Sequence, residues 1–170
     1  CCAGSRLFIE NSVHDEFMTK LTERVGKMRQ GNGMDEKTQI GPQISKEQVE
    51  RIMHYVGEGK KDGAKLVCGG ERPQGELAKG YFVQPTIFDG VNNDMKIAQE
   101  EIFGPVLSVI PFNTMEEVAE QANKIQFGLS GAVWTRDLKR AHKLASHIKA
   151  GTIWINCFNV FDPQMPFGGY

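Results

Sequence analysis

The order of elements along this 170-residue sequence predicts an α/β fold, a three-layer αβα domain built on a mostly parallel sheet. Three observations lead there. Strand-type and helix-type patterns alternate along the chain. The stretch Val106 to Phe112 is a near-continuous apolar run of the kind that lies in strands covered on both faces. Three helical patterns each open on Ser or Thr with an acid or amide three residues later, at Ser12/Asp15, Ser45/Gln48 and Thr114/Glu117. Right-handed crossovers between successive strands would then put helices on both faces of the sheet.

In order, Ser5 to Glu10 reads as a strand ended by Asn11-Ser12, and Val13, Phe17, Leu21, Val25 and Met28 recur at helical spacing. Gly31-Asn32-Gly33 breaks that helix. Ser45 opens a second helix with Val49, Ile52, Met53 and Val56 on its inner face. Lys65 to Cys68 is a short strand stopped by Gly69-Gly70, and Glu71 to Gly80 reads as a polar surface loop. Tyr81 to Phe88 is β-prone, but Pro85 inside it predicts an edge or bent strand, because proline donates no ladder hydrogen bond. A helical turn around Met95 to Ala98 precedes the Val106 to Phe112 strand. Thr114 opens a helix carrying Val118, Ala119, Ala122 and Ile125. Gly131 to Trp134 is a strand, Leu138, Ala141, Ala145 and Ile148 mark a helix, and Gly151 to Asn156 is the last strand. Cys157 to Tyr170 is a loop rich in Pro, Gly and Phe.

Composition narrows the function classes. With 40% hydrophobic residues, no internal repeat and no linker, residues 1–170 suit a single domain able to bury roughly two thirds of its unfolded surface. The 20 basic and 21 acidic residues are spread along the chain for a net charge of -1, which argues against nucleic acid or an anionic membrane as a partner. No apolar run approaches the ~20 residues of a membrane-spanning helix. The cysteines at 1, 2, 68 and 157 have neither zinc-ligand nor disulfide-framework spacing, so reduced thiols in an intracellular compartment are expected. The four histidines fall on helical patterns without metal-pair spacing, and no Gly-x-Gly-x-x-Gly follows a strand, so no metal site and no local dinucleotide fingerprint are expected.

Three stretches could carry chemistry, each with a plainer alternative. Cys1-Cys2 heads an apolar strand; it is either a working thiol, which needs nearby N–H donors to favour the thiolate, or two small residues filling space. Glu100-Glu101 precedes Phe103 and a Gly-Pro turn; a carboxylate there can accept from vicinal sugar hydroxyls and the ring can face a planar group, or the acids are solvated and the Phe is core. Asn156 to Phe161 and Met165 to Gly169 put aromatics in a loop, either as a binding wall or tucked against their own domain.

Together these stretches resemble one family. Cys-x-Ala-Gly-Ser-Arg at the start, Glu-Glu-Ile-Phe-Gly-Pro-Val at 100–106, Gly-Thr-Ile-Trp-Ile-Asn-Cys at 151–157 and Pro-Phe-Gly-Gly-Tyr at 166–170 look like the NAD(P)-dependent aldehyde dehydrogenases. The resemblance implies the family's catalytic domain, oxidising aldehydes to carboxylic acids through a thiohemiacetal and a thioester on cysteine, with NAD or NADP as cofactor. It assigns Cys1 as nucleophile and Cys2 as its pocket-lining neighbour. It assigns Glu101 to the nicotinamide ribose, Phe103 to the nicotinamide, and Asn159, Phe161 and Phe167 to the aldehyde channel, with Asn156 in support. It also implies that the cofactor-binding domain, the general base and the oligomerisation arm lie outside residues 1–170, so this stretch alone should fold without oxidising aldehydes. The parent protein is expected to be a dimer or tetramer, cytoplasmic or in the mitochondrial matrix, acting on a small neutral aldehyde. Two other readings share these motifs: a noncatalytic domain of the same fold, and an acylating relative that passes the thioester to coenzyme A.

Overall fold

Six strands and five α-helices are defined in a computed structural model that describes residues 3–170. They fall into two units, Ser5–Pro111 and Phe112–Tyr170. The first holds β1 (Arg6–Glu10), α1 (His14–Gly26), α2 (Lys46–Lys61), β2 (Lys65–Cys68), β3 (Thr86–Asp89), α3 (Lys96–Gln99) and nearly all of β4 (Val106–Phe112). The second holds α4 (Met115–Asn123), β5 (Ser130–Val133), α5 (Leu138–His147) and β6 (Thr152–Ile155). Apart from a 3-10 turn at Gly75–Lys79, the Glu71 to Gly80 segment is the expected irregular loop.

In the first unit the strand order is β1-β4-β3-β2, with β3 and β4 parallel and β2 antiparallel to β3. Side chains alternate across the sheet as a pleat requires. On one face Ile9, Ile87 and Val109 meet Met18, Leu21 and Val25 of α1. On the other, Phe88, Val106 and Ile110 meet Val49, Ile52 and Val56 of α2 and Ile97 of α3. Two apolar layers with helices outside them give the α/β sandwich. Phe88, Ile52 and Ile97 are almost wholly inaccessible, and burying each such side chain is worth about 1.5–3 kcal/mol. At β2 the register slips between Leu66 and Cys68, which lets Val67 and Cys68 both join the α1 face.

Several local expectations are corrected here. Pro85 does not mark an edge: the strand begins just after it, at Thr86, and lies inside the sheet between β2 and β4. The first N–H available after the proline, that of Thr86, bonds the carbonyl of Pro105 at 2.8 Å. Ser12 does not cap α1; residues Asn11–Val13 form a 3-10 turn, and the helix starts at His14 with no side-chain cap. It ends at Gly26, before the Gly31 break, because Lys27 and Met28 close it with short-range bonds to Arg24 and Val25. Its buried stripe is Met18, Leu21 and Val25, while Val13 and Phe17 face outward.

The other two expected N-caps form. Ser45 accepts from the N–H of Gln48, and Thr114 from that of Glu117, whose carboxylate accepts in turn from Asn113 N–H at 2.9 Å. In the second unit β5 and β6 run parallel, Ser130 opposite Thr152 through Val133 opposite Ile155. Asp137 caps α5, and Lys143 ties α5 to Glu116 of α4.

Candidate active site

The acidic pair follows α3 and divides its labour. Glu100 accepts the Tyr55 hydroxyl at 2.6 Å. The Glu101 side chain points to solvent and has no hydrogen-bond or ion-pair partner among the described residues. The chain then reverses at Phe103, whose φ of 58° is a left-handed value that an aromatic side chain rarely tolerates. Holding it costs about 1–3 kcal/mol, so the surroundings must over-determine it. They do so from one face of α2, where residues three and four apart stack. Gln48 Nε2 donates to the carbonyls of Ile102 (3.0 Å) and Phe103 (2.9 Å), and Arg51 donates to that of Glu101 (2.9 Å). Gly104 lets the turn lie flat on the helix, since a Cβ there would sit 2.4 Å from Ile52. The result is a free carboxylate and a ring 60% exposed on a rigid support. The carboxylate can accept from two vicinal hydroxyls, and the ring can cover a planar heterocycle, so these residues fit a nicotinamide ribose.

The second unit carries a candidate stretch of its own. Past β6 the backbone is left-handed at Asn156 (φ 55°) and again at Asn159 (φ 58°). With Phe103 these are the only left-handed non-glycine residues among those described. Asn156 lies on its side between strand ends: its Oδ1 accepts from Thr135 N–H and its Nδ2 donates to Thr135 O, both at 2.9 Å. It borders an open cavity of about 410 Å³ at the carboxyl ends of β5 and β6, walled by Trp134, Thr135, Arg136, Leu138 and Ala141. Trp154, buried in β6, donates its indole N–H to Val160 O at 2.8 Å and stands edge-on to Phe161 at 5.5 Å. Phe161 is in turn edge-on to Phe167 at 4.9 Å. Two of the three expected channel residues, Phe161 and Phe167, thus touch, and Asn159 lies on the same loop beneath Val160 in sequence.

Cys1 and Cys2 lie outside the described residues. Arg6, five positions on, is fixed by a 2.8 Å bond to the buried Asn93 and by the Phe8 ring 5.2 Å away. Burial pushes the Cys68 thiol above its usual range, which makes it a poor nucleophile. No cluster of metal-ligating side chains exists among the described residues, and none of their helices is long and apolar enough to cross a membrane.

Sequence reasoning missed Gln48, Arg51, Tyr55 and Thr135 as members of these sites. Three of them act on, or through, main-chain atoms about fifty or twenty residues away, which leaves no motif to read. Only the two asparagines carried a signal, since Asn tolerates left-handed backbone better than other residues with a Cβ.

The aldehyde dehydrogenase family model matches residues 1–170. The chain belongs to the aldehyde dehydrogenase family. It is 49% identical over its whole length to a betaine aldehyde dehydrogenase of Mesorhizobium japonicum and 47% identical to the human mitochondrial aldehyde dehydrogenase. It covers 35% and 32% of those proteins, so the chain spans about a third of the length of the relatives it matches. Its fold superposes on the crystal structure of betaine aldehyde dehydrogenase from Staphylococcus aureus in complex with NAD+ with a TM-score of 0.97, at 42% identity, over 100% of this chain and 34% of that one. The α/β aldehyde dehydrogenase fold expected from sequence is therefore the fold found.

Proposed function

We propose that this chain supplies the thiol and the nicotinamide-facing turn of an enzyme that oxidises aldehydes to carboxylic acids with NAD or NADP. The observation that carries it is the coincidence of strain and assignment. The three left-handed non-glycine residues among those described are Phe103, Asn156 and Asn159; the family resemblance assigns Phe103 to the cofactor and Asn159 to the aldehyde channel, with Asn156 in support. Backbone strain of this kind persists where function requires a particular pose.

In this proposal Cys1 attacks the aldehyde carbon as a thiolate, forming a C–S bond and a thiohemiacetal alkoxide; the C=O bond re-forms as hydride leaves that carbon, which gives the Cys1 thioester. The bound nicotinamide supplies the acceptor for that hydride. Water then cleaves the Cys1 thioester, releasing the carboxylic acid and restoring the thiol. Glu101 accepts from the ribose hydroxyls, Phe103 covers the ring, and Asn159, Phe161 and Phe167 line the aldehyde path beside Cys2. The aromatic wall and the neutral Asn159 favour uncharged aldehydes. The parent protein is proposed to be a cytoplasmic or mitochondrial homo-oligomer, with the remaining cofactor contacts supplied outside these 170 residues.

The test is aldehyde-dependent reduction of the cofactor by the full-length protein. Cys1→Ala is expected to lose turnover by more than about 10⁴-fold. Iodoacetamide at neutral pH is expected to label Cys1 well before Cys68. Turnover surviving in Cys1→Ala would overturn the proposal.

A further inference from the structure

Tyr55 is an odd member of the core. Its ring packs in the apolar cluster between α2 and the sheet, and the residue is only 6% exposed. Its hydroxyl leaves that cluster to bond Glu100 Oε2 at 2.6 Å, the length of a charge-assisted O–H···O bond. Glu100 stands at the C-cap of α3, where its N–H closes the helix onto Lys96 O. A carboxylate gains nothing from a helix C-terminus, and the Tyr55 hydroxyl and the charge of nearby Lys96 both offset that. The bond to Glu100 is the largest cause raising the Tyr55 hydroxyl above its usual range, in keeping with a phenol that donates to a carboxylate. Arg51, stacked 5.3 Å over the Tyr55 ring, adds a 3.4 Å contact to the same hydroxyl while holding Glu101 O. The Tyr55–Glu100 bond therefore anchors the first residue of the turn, and Arg51 and Gln48 anchor the next three.

We infer that Tyr55 is a positioning residue: acting through Glu100, it fixes the turn so that the Glu101 carboxylate and the Phe103 ring hold the pose in which they meet the cofactor. The inference rests on the proposed cofactor role of Glu101 and Phe103. Tyr55 touches neither substrate nor cofactor in this scheme. Its effect is to keep the Glu101 and Phe103 geometry from being paid for at each binding event.

The experiment compares Tyr55→Phe, Glu100→Ala, Glu100→Gln, their double variants and Glu101→Gln in the full-length protein. Cofactor Kd by titration is read with kcat, both KM values, and hydrogen–deuterium exchange of the peptide spanning residues 99–105. Tyr55→Phe removes one hydroxyl and keeps the ring. It is expected to weaken cofactor binding about 5- to 10-fold, to leave aldehyde KM unchanged, and to speed exchange in that peptide without cofactor present. Glu100→Ala is expected to behave alike, the Tyr55→Phe/Glu100→Ala double variant to be no worse than either, and Glu100→Gln, which keeps an acceptor, to recover most of the loss. If Tyr55→Phe lowers the melting temperature but leaves cofactor Kd and peptide exchange at wild-type values, Tyr55 is structural only and the inference falls. If Glu101→Gln binds cofactor normally, the underlying assignment falls and takes the inference with it. Glu100→Ala carries the same readings should Tyr55→Phe fail to fold.

Discussion

The Glu100–Phe103 turn and the 156–170 loop present the same backbone problem and solve it differently. Each holds a non-glycine residue in the left-handed region. The turn is braced from outside, by four side-chain hydrogen bonds from α2 and by the close seat of Gly104 on Ile52. The loop past Asn156 is held largely by its own rings, gathered on Trp154, and by the approach of its end to two glycines. Directional bonds fix a pose to within fractions of an ångström but fail one at a time. Ring packing is less directional than hydrogen bonding, tolerates small changes and fails when its centre is removed.

Removing that centre should break the contrast most visibly. Trp154→Ala deletes the ring against which Phe158 and Phe161 pack, at centroid distances of 5.0 and 5.5 Å. It is expected to cost about 3–5 kcal/mol in chemical denaturation and to expose residues 157–167 to limited proteolysis. Trp154→Phe, which keeps a ring but loses the bond to Val160 O, should cost only about 1 kcal/mol.

A pair of glycine substitutions sharpens the comparison at intermediate size. In Gly104→Ala the new methyl meets a buried Ile52 that cannot retreat, so the turn must lift off α2. About 1–3 kcal/mol of destabilisation is expected, with faster amide exchange confined to residues 100–105. In Gly151→Ala the methyl would lie 1.7 Å from Gly168 O, so the terminal segment must detach. Proteolysis near Tyr170 with a smaller change in denaturation midpoint is the expected signature.

The smallest effect tests whether hydrogen-bonded bracing is used elsewhere in the first unit. His14 bonds Asp15 and Asp89, each at 2.9 Å, through its two ring nitrogens. Both partners accept, so only the imidazolium satisfies both bonds. The bonds to Asp15 and then Asp89 raise its proton affinity above the usual histidine value. A raised folded-state value contributes stability that is complete below the unfolded value near 6.5 and fades as pH climbs through the folded one. The wild-type advantage over His14→Asn is expected to be about 0.5 kcal/mol near pH 5.5 and to vanish in mildly alkaline buffer, measured by denaturation at both pH values. A difference independent of pH would show that the imidazolium is not the form that holds.

Much of the fold was legible because the controlling signals were local. Val106–Phe112 is covered on both faces and reads so; Ser45 and Thr114 cap where their spacing says. Ser12 misled because the same spacing occurs where a 3-10 turn intervenes, and Pro85 misled because a strand can start directly after a proline and still be central. At the site, the acids, rings and asparagines were visible as residue types. Which acid stays free was not, since that depends on Tyr55 reaching across 45 positions to take Glu100. Nor does an aromatic side chain announce positive φ at Phe103.

Gly59 gives α2 its footing. A methyl there would come within 3.1 Å of both Phe88 and Ile97, so the helix sits as low on the sheet as its backbone permits. The helix backbone accordingly rests directly on the Phe88 and Ile97 side chains at that point. Positions 48, 51 and 55 can therefore be varied together to shift the Glu101–Phe103 turn while Gly59 is kept, because the foundation sets the height of everything erected on it.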